Sequence, residues 1–181
     1  MTYRNVVSAV VRALAAETIS SAGGCDYEPK VQCAKQKAEI VGKEAAFLQD
    51  CWVFGRLHKS LTPAHWRVLV AKYSTHQERK HGAIADLTRS VRSPAPERFL
   101  HCAVVTWALP KLPGVNGKRS TNVLPAGWYE MDNWSDEPHP IKTQERWRRD
   151  IRKMLEREVD EALISAQVLL DAEGLIGTKV A

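Results

Sequence analysis

Residues 142–175 read KTQERWRRDIRKMLEREVDEALISAQVLLDAEGL. Within them Trp147, Ile151, Met154, Leu155, Val159, Ala162, Leu163, Ala166 and Leu169 recur mostly at steps of three and four. That spacing lines one face of an α-helix, whereas a strand would alternate every second residue. Thr143 is the expected N-cap. Gly174 stands where a Schellman stop needs a left-handed residue, with Leu175 as its apolar partner. One long amphipathic helix is therefore predicted to close the chain.

Working back toward the N-terminus, the same period returns. Tyr3, Val7, Val10, Val11 and Leu14 predict a helix over 3–16, broken by the Ser20–Gly24 stretch. From Pro29 to Leu57 a longer helix is expected, with Val31, Ala34, Ala38, Val41, Ala45, Leu48, Trp52 and Gly55 on its inward face. Thr62 followed by Pro63 is a helix start, and Leu61 and Trp66 occupy the two positions of a hydrophobic staple. That helix reaches Tyr73, and Ser74–Thr75–His76 is a polar turn. A helix over 77–91 follows, with Ala83, Ile84, Leu87 and Val91 inward. Ser93–Pro94–Ala95–Pro96 breaks it, Phe99, Leu100, Ala103, Val104 and Trp107 form the next apolar face, and Pro110 ends that helix. The expected fold class is all-α, with a helical body over 1–109, an irregular loop over 110–141 and a C-terminal helix within 142–181.

The stretch 110–141 holds Pro110, Pro113, Pro125, Pro138 and Pro140, five of the nine prolines. No period of 3.6 or 2 survives there. Loops of this length inside compact domains are uncommon and often functional, and the other reading is a linker. Trp128, Tyr129, Met131 and Trp134 are too apolar for a solvated tether, and Lys111, Lys118 and Arg119 give the first half a basic edge.

Of 181 residues 44% are hydrophobic, enough for a real core, and the net charge is +5. The apolar N-terminal run is interrupted by Arg12, so neither a bilayer span nor a secretory core is read there, and the expected compartment is the cytoplasm. Cys25, Cys33, Cys51 and Cys102 lack the close pairing of a zinc site. No metal or other cofactor is expected.

Charge is distributed unevenly along the last helix. Residues 142–153 hold six cations, Lys142, Arg146, Arg148, Arg149, Arg152 and Lys153, against Glu145 and Asp150, a net +4. Residues 154–173 hold Arg157 against Glu156, Glu158, Asp160, Glu161, Asp171 and Glu173, a net −5. The helix dipole prefers acids first and bases last, by roughly 0.3–1 kcal/mol per charge. An external anion at the N-terminal half would compensate for this inversion. Lys142, Arg146, Arg149 and Lys153 share one face, opposite the apolar stripe, with Arg148 and Arg152 flanking the stripe. Exposed arginines bind phosphates or, bidentately, guanine edges. The plainer reading is a solvated basic face held by pairs such as Glu145–Arg149. Residues 129–140 offer a short helix, Tyr129–Ser135, and a turn, Asp136–Pro140, that would complete a helix-turn-helix. Thr143, Gln144, Arg146 and Arg149 would then sit where a recognition helix meets bases.

A second basic region spans 63–98. Arg67, Lys72, Arg79, Lys80, Arg89, Arg92 and Arg98 face three acids there, a net +4. Trp66, Leu69, Val70 and Tyr73, followed by Ala83–Ile84–Ala85–Asp86–Leu87, resemble a sigma-region-4 helix-turn-helix. Arg67, Arg79, Lys80, Arg89, Arg92 and Arg98 are therefore candidates for DNA or polymerase contact, against a packed core with a basic exterior. Glu130, Asp132, Asp136, Glu137 and His139 lie on a Pro-rich loop, where a metal site would lack rigid support. No phosphate-binding loop, nucleophile elbow or zinc-protease motif occurs. No catalytic residue is assigned.

The helices of 62–109, the aromatic-basic loop, and Thr143–Gln144–Glu145–Arg146–Trp147–Arg148–Arg149 running on to Gly174–Leu175–Ile176 resemble the bacteriophage Q-type transcription antiterminators. The resemblance covers most of the chain but does not extend to the paired-cysteine zinc motif of some of those proteins. It implies an activator that binds a double-stranded DNA element near a promoter and loads onto bacterial RNA polymerase with its sigma factor. It would then block terminator hairpins where nascent RNA leaves the enzyme. Lys111, Lys118, Arg119, Trp128 and Tyr129 are the expected exit-channel and RNA candidates. Two rival classes stand beside it, a simple DNA-binding regulator and an adaptor for an acidic protein.

Overall fold

The structure is a computed structural model that describes residues 3–22, 34–111 and 124–176, and for 17, 19–22 and 34–43 the backbone alone. Six α-helices follow in chain order: α1 (Val6–Ala22), α2 (Ala34–Ser60), α3 (Pro63–Tyr73), α4 (Gln77–Ser90), α5 (Glu97–Ala108) and α6 (Ile141–Ala172). Two single 3₁₀ turns, Ala126–Tyr129 and Met131–Asn133, precede α6. No β-strand occurs among the described residues, so the chain is all-α, as its periodicity predicts.

α3 forms where its local signals place it. Pro63 takes the first helical position, and the Thr62 side chain accepts from the His65 backbone N–H at 3.2 Å. Leu61 is buried and Trp66 packs against the core. α5 is apolar on nearly every side, with Phe99, Leu100, Cys102, Ala103, Val104, Val105, Trp107 and Ala108 buried. A helix of that kind must be covered all round. α3, α4, α6 and the Ala126–Tyr129 turn cover it. Phe99 meets the buried Trp134 and Trp147 edge-on, at ring centroid distances of 5.2 and 5.5 Å.

α6 packs along α1, α2, α3 and α5. Its buried stripe is Trp147, Ile151, Leu155, Val159, Ala162, Ala166 and Leu170. Leu170 takes the deep position that the spacing gives to Leu169. The stop is the expected Schellman motif. Gly174 has φ of 65°, its N–H donates to Asp171 O at 3.0 Å, and the Leu175 N–H donates to Leu170 O at 3.0 Å. Beyond it, Ile176 pairs with Tyr3 in an isolated parallel bridge, and the Tyr3 N–H donates to Leu175 O at 2.7 Å.

Three expectations need correction. α1 begins at Val6 rather than residue 3 and buries Ala9, Val10, Ala13 and Leu14, leaving Val7 and Val11 exposed by more than a third. α2 presents Ala45, Leu48, Trp52 and Gly55 outward and buries Asp50, Val53 and Leu57 instead. The helix has two apolar stripes, and the one chosen for the core contains a carboxylate. Asp50 is tolerated inside because Tyr3 Oη donates to it at 2.7 Å and Arg12 donates two bonds at 2.9 and 3.2 Å. Val31 lies outside the described residues. Last, Tyr129–Ser135 forms 3₁₀ turns and not an α-helix, so the helix expected ahead of α6 is absent.

Candidate nucleic-acid interface

α6 starts three residues earlier than an N-cap at Thr143 would give, with Pro140 at the N-cap position. Pro140, at φ −56° and ψ 134°, caps the helix by its carbonyl alone, accepting from the Thr143 and Gln144 N–H groups at 2.8 and 3.2 Å. Thr143 therefore lies half-buried in the first turn. Gln144 is buried, and its Nε2 donates to His139 O at 3.0 Å, which withdraws it from the expected set of base readers. Trp147 points inward against Phe99 and His139.

The cations of this half all face outward. Lys142, Arg146, Arg149, Arg152 and Lys153 are exposed, and Arg149 keeps 74% of its side-chain surface. Arg148 is also exposed, with its guanidinium 5.6 Å from the centre of the Trp134 ring. The strip from Lys142 to Lys153 is about 16 Å long at 1.5 Å per residue. The Glu145–Arg149 pair that the spacing offers is not made. Arg149 lies 3.8 Å from its neighbour Asp150, and Arg152 lies 3.9 Å from Glu156. Lys142, Arg146 and Lys153 have no ion-pair partner among the described residues.

The acidic half differs. Glu156 is half-buried and accepts from Lys72 Nζ and Trp107 Nε1, each at 2.9 Å, while Lys72 also sits 4.4 Å from the centre of the Trp107 ring. Burial pushes the Glu156 carboxyl up, but the two hydrogen bonds and the charges of Lys72 and Arg152 outweigh it and hold the group below the usual carboxylate value. Burial, and then the charges of Glu156 and Asp160, push the Tyr73 hydroxyl up. Glu173 pairs with Arg56 at 3.0 Å. Among the described residues the body thus supplies a cation to Glu156 and to Glu173, leaves Glu158, Asp160 and Asp171 without one, and supplies no acid to the bases of α6.

The Glu156 contacts make a pH prediction. A carboxyl held down in the folded state contributes stability above its usual pKa of 4.5 and loses it as pH falls through the lowered value. Glu156→Gln is expected to lower the urea midpoint at neutral pH, and the gap to the parent should close as pH drops below 4.5. Parallel midpoints across that range would show that the charge contributes nothing.

The second basic region divides. Lys80 is half-buried and donates to the Lys72 and Ser74 carbonyls at 3.3 Å each, capping the end of α3, and burial followed by the Lys72 charge pushes its pKa down. It is not a surface contact. Arg67 lies 3.8 Å from Asp86, which Arg89 also grips. Arg79 is exposed above the Phe54 ring at 5.8 Å, and Arg92 is exposed. Arg98 is separate from these, paired with Asp136 just ahead of α6.

The aromatic residues of the loop face inward, contrary to expectation. Trp128 packs against His101, Tyr129 Oη donates to Leu109 O at 3.1 Å, and Trp134 Nε1 donates to Trp128 O at 2.8 Å. Lys111 is exposed, whereas Lys118 and Arg119 lie outside the described residues. Cys51 and Cys102 are free thiols, and among the described residues no three of His, Cys, Asp and Glu converge as metal ligands. No described helix is long and apolar enough to cross a membrane. A groove lined by His58, Trp66, Arg67 and Arg79 is a feature the sequence reading missed. Its one sequence signal is the i,i+4 spacing of Phe54 and His58 ahead of Trp66. Comparison with protein-family models, curated proteins and solved structures finds no match.

Proposed function

We propose that the chain is a DNA-binding transcription antitermination factor. The N-terminal half of α6 lies on a duplex element near a promoter, and the protein then loads onto RNA polymerase and suppresses intrinsic termination at the RNA exit channel. One observation carries the DNA-binding part: Glu156 and Glu173 find cations within the body, while Lys142, Arg146 and Lys153 are left open to an outside polyanion. The strip they form with Arg149 fits a major groove about 12 Å wide that admits one α-helix. Arg146 and Arg149 sit outermost for base or phosphate contact, Arg152 and Lys153 for the backbone. The reader is then a single long helix mounted on Phe99, Trp134 and Trp147 rather than the second helix of a helix-turn-helix.

The polymerase part rests on the likeness of the chain to the phage factors. The inward packing of Trp128 and Tyr129 favours a second reading, a simple regulator that binds DNA alone. An in-vitro transcription assay separates the two. With a template carrying the cognate element and a downstream intrinsic terminator, readthrough should appear only when the protein is present. Binding to element and polymerase with unchanged termination would overturn antitermination, and binding to the element without polymerase would leave the simple regulator standing.

A further inference from the structure

With Asp50, Val53 and Leu57 turned inward, α2 carries an apolar stripe on its outer side that the fold does not use. Leu48 is 60% exposed and Trp52 49%. The helical period sets Glu44, Gly55 and Lys59 on the same outward face, and all three are exposed. Neither Glu44 nor Lys59 has an ion-pair partner among the described residues. Gly55 stands inside the helix, where only proline is a poorer residue. Nothing among the described residues calls for it, because its φ is not left-handed and a Cβ built on it meets nothing within 4 Å. A glycine of that kind suits a close approach from outside.

We propose that this face pairs with the same face of a second copy of the chain, α2 running antiparallel to α2, with Leu48 of each copy seated on Gly55 of the other. Two features select a second copy. The face is complementary to itself in size: a large side chain stands two turns ahead of a notch, so one two-fold axis fills both notches at once. It is also complementary to itself in charge. The midpoint of Leu48 and Gly55 falls between Cys51 and Trp52, and so does the midpoint of Glu44 and Lys59. The axis that seats Leu48 on Gly55 therefore sets Glu44 of each copy opposite Lys59 of the other. A partner of another sequence would need neither coincidence. Trp52 of each copy lies beside the axis, where a large ring adds much of the buried area. One helix pair is at the low end of specific interfaces, so the dimer is reversible. The proposal uses no residue of the α6 strip and holds whether or not that strip reads DNA.

Sedimentation equilibrium of the full chain over a range of concentrations is expected to show monomer and dimer in reversible exchange. Gly55→Leu fills the notch with a residue that suits a helix interior better than glycine. It should melt no lower than the parent at concentrations where both are monomeric, yet weaken dimerisation by about tenfold or more, the scale of an overpacked contact. Glu44→Lys or Lys59→Glu alone sets like charges across the axis and should weaken the dimer severalfold at low salt. The double variant Glu44→Lys/Lys59→Glu makes every such pair opposite again and should regain the affinity of the parent. Parallel pairing of the two helices would not respond in that way. A parent that stays monomeric, a dimer indifferent to Gly55→Leu, or charge reversals that do not compensate one another would overturn the proposal. So would a Trp52→Glu variant that melts well below the parent at the concentrations where both are monomeric, since the face would then be covered by its own chain.

Discussion

Arg146→Ala/Arg149→Ala is expected to melt at the temperature of the parent and to lose specific DNA binding. Neither arginine holds the body together. Both are exposed, Arg146 has no ion pair among the described residues, and Arg149 has only its sequence neighbour Asp150 at 3.8 Å. Exposed pairs of that kind contribute about 0–1 kcal/mol. Removing a bidentate base contact, in contrast, weakens binding by roughly 1–3 kcal/mol each. If either side chain touches phosphate alone, the loss is spread over all sequences and the dependence of log K on log salt flattens by about one unit per contact. Titration of labelled duplex at several salt concentrations, beside thermal melts, separates these outcomes. A double variant that folds and binds like the parent would remove α6 as the reader.

Trp134→Ala is expected to cost about 3–5 kcal/mol, the usual range for truncating a buried aromatic side chain. Trp134 is 1% exposed although it belongs to the irregular stretch before α6. Its ring packs on Phe99, its Nε1 holds the Trp128 carbonyl, and Arg148 lies over it. The variant should unfold at much lower urea and also loosen the mount of the first turns of α6. A loss below about 1 kcal/mol would mean that the stretch is held by other contacts, since it would fall well outside the range for buried rings.

Features decided by near neighbours in the chain were legible in the sequence. α3 could be read because Leu61, Thr62, Pro63 and Trp66 act within one turn of each other. The same holds for Gly174, whose left-handed turn needs only Leu170, Asp171 and Leu175. The phase of α2 could not be read, because Asp50 is stabilised by Tyr3 and Arg12, 47 and 38 positions away. The pairing of Glu156 with Lys72 could not be read for the same reason, since the two are 84 positions apart. Within the basic strip, Arg146, Arg149 and Lys153 stand outward as the helical period requires. Gln144 departs from the expected role because the chain before it, fixed by Pro138 and Pro140, brings the His139 carbonyl within reach. Polar character alone does not tell a reader of bases from a residue that ties down its own helix.

The Tyr3–Ile176 bridge has a practical corollary. Two positions 173 residues apart in sequence lie side by side, so the described body is topologically close to a ring. A short linker joining them, with new ends opened in the Ser74–His76 turn, would give a circular permutant with every core contact available. The junction also lies at the far end of α6, on the order of 35 Å along the helix axis from Arg149 at 1.5 Å per residue. A surface tether or fluorophore attached at that junction would hold the protein by the end opposite its basic strip.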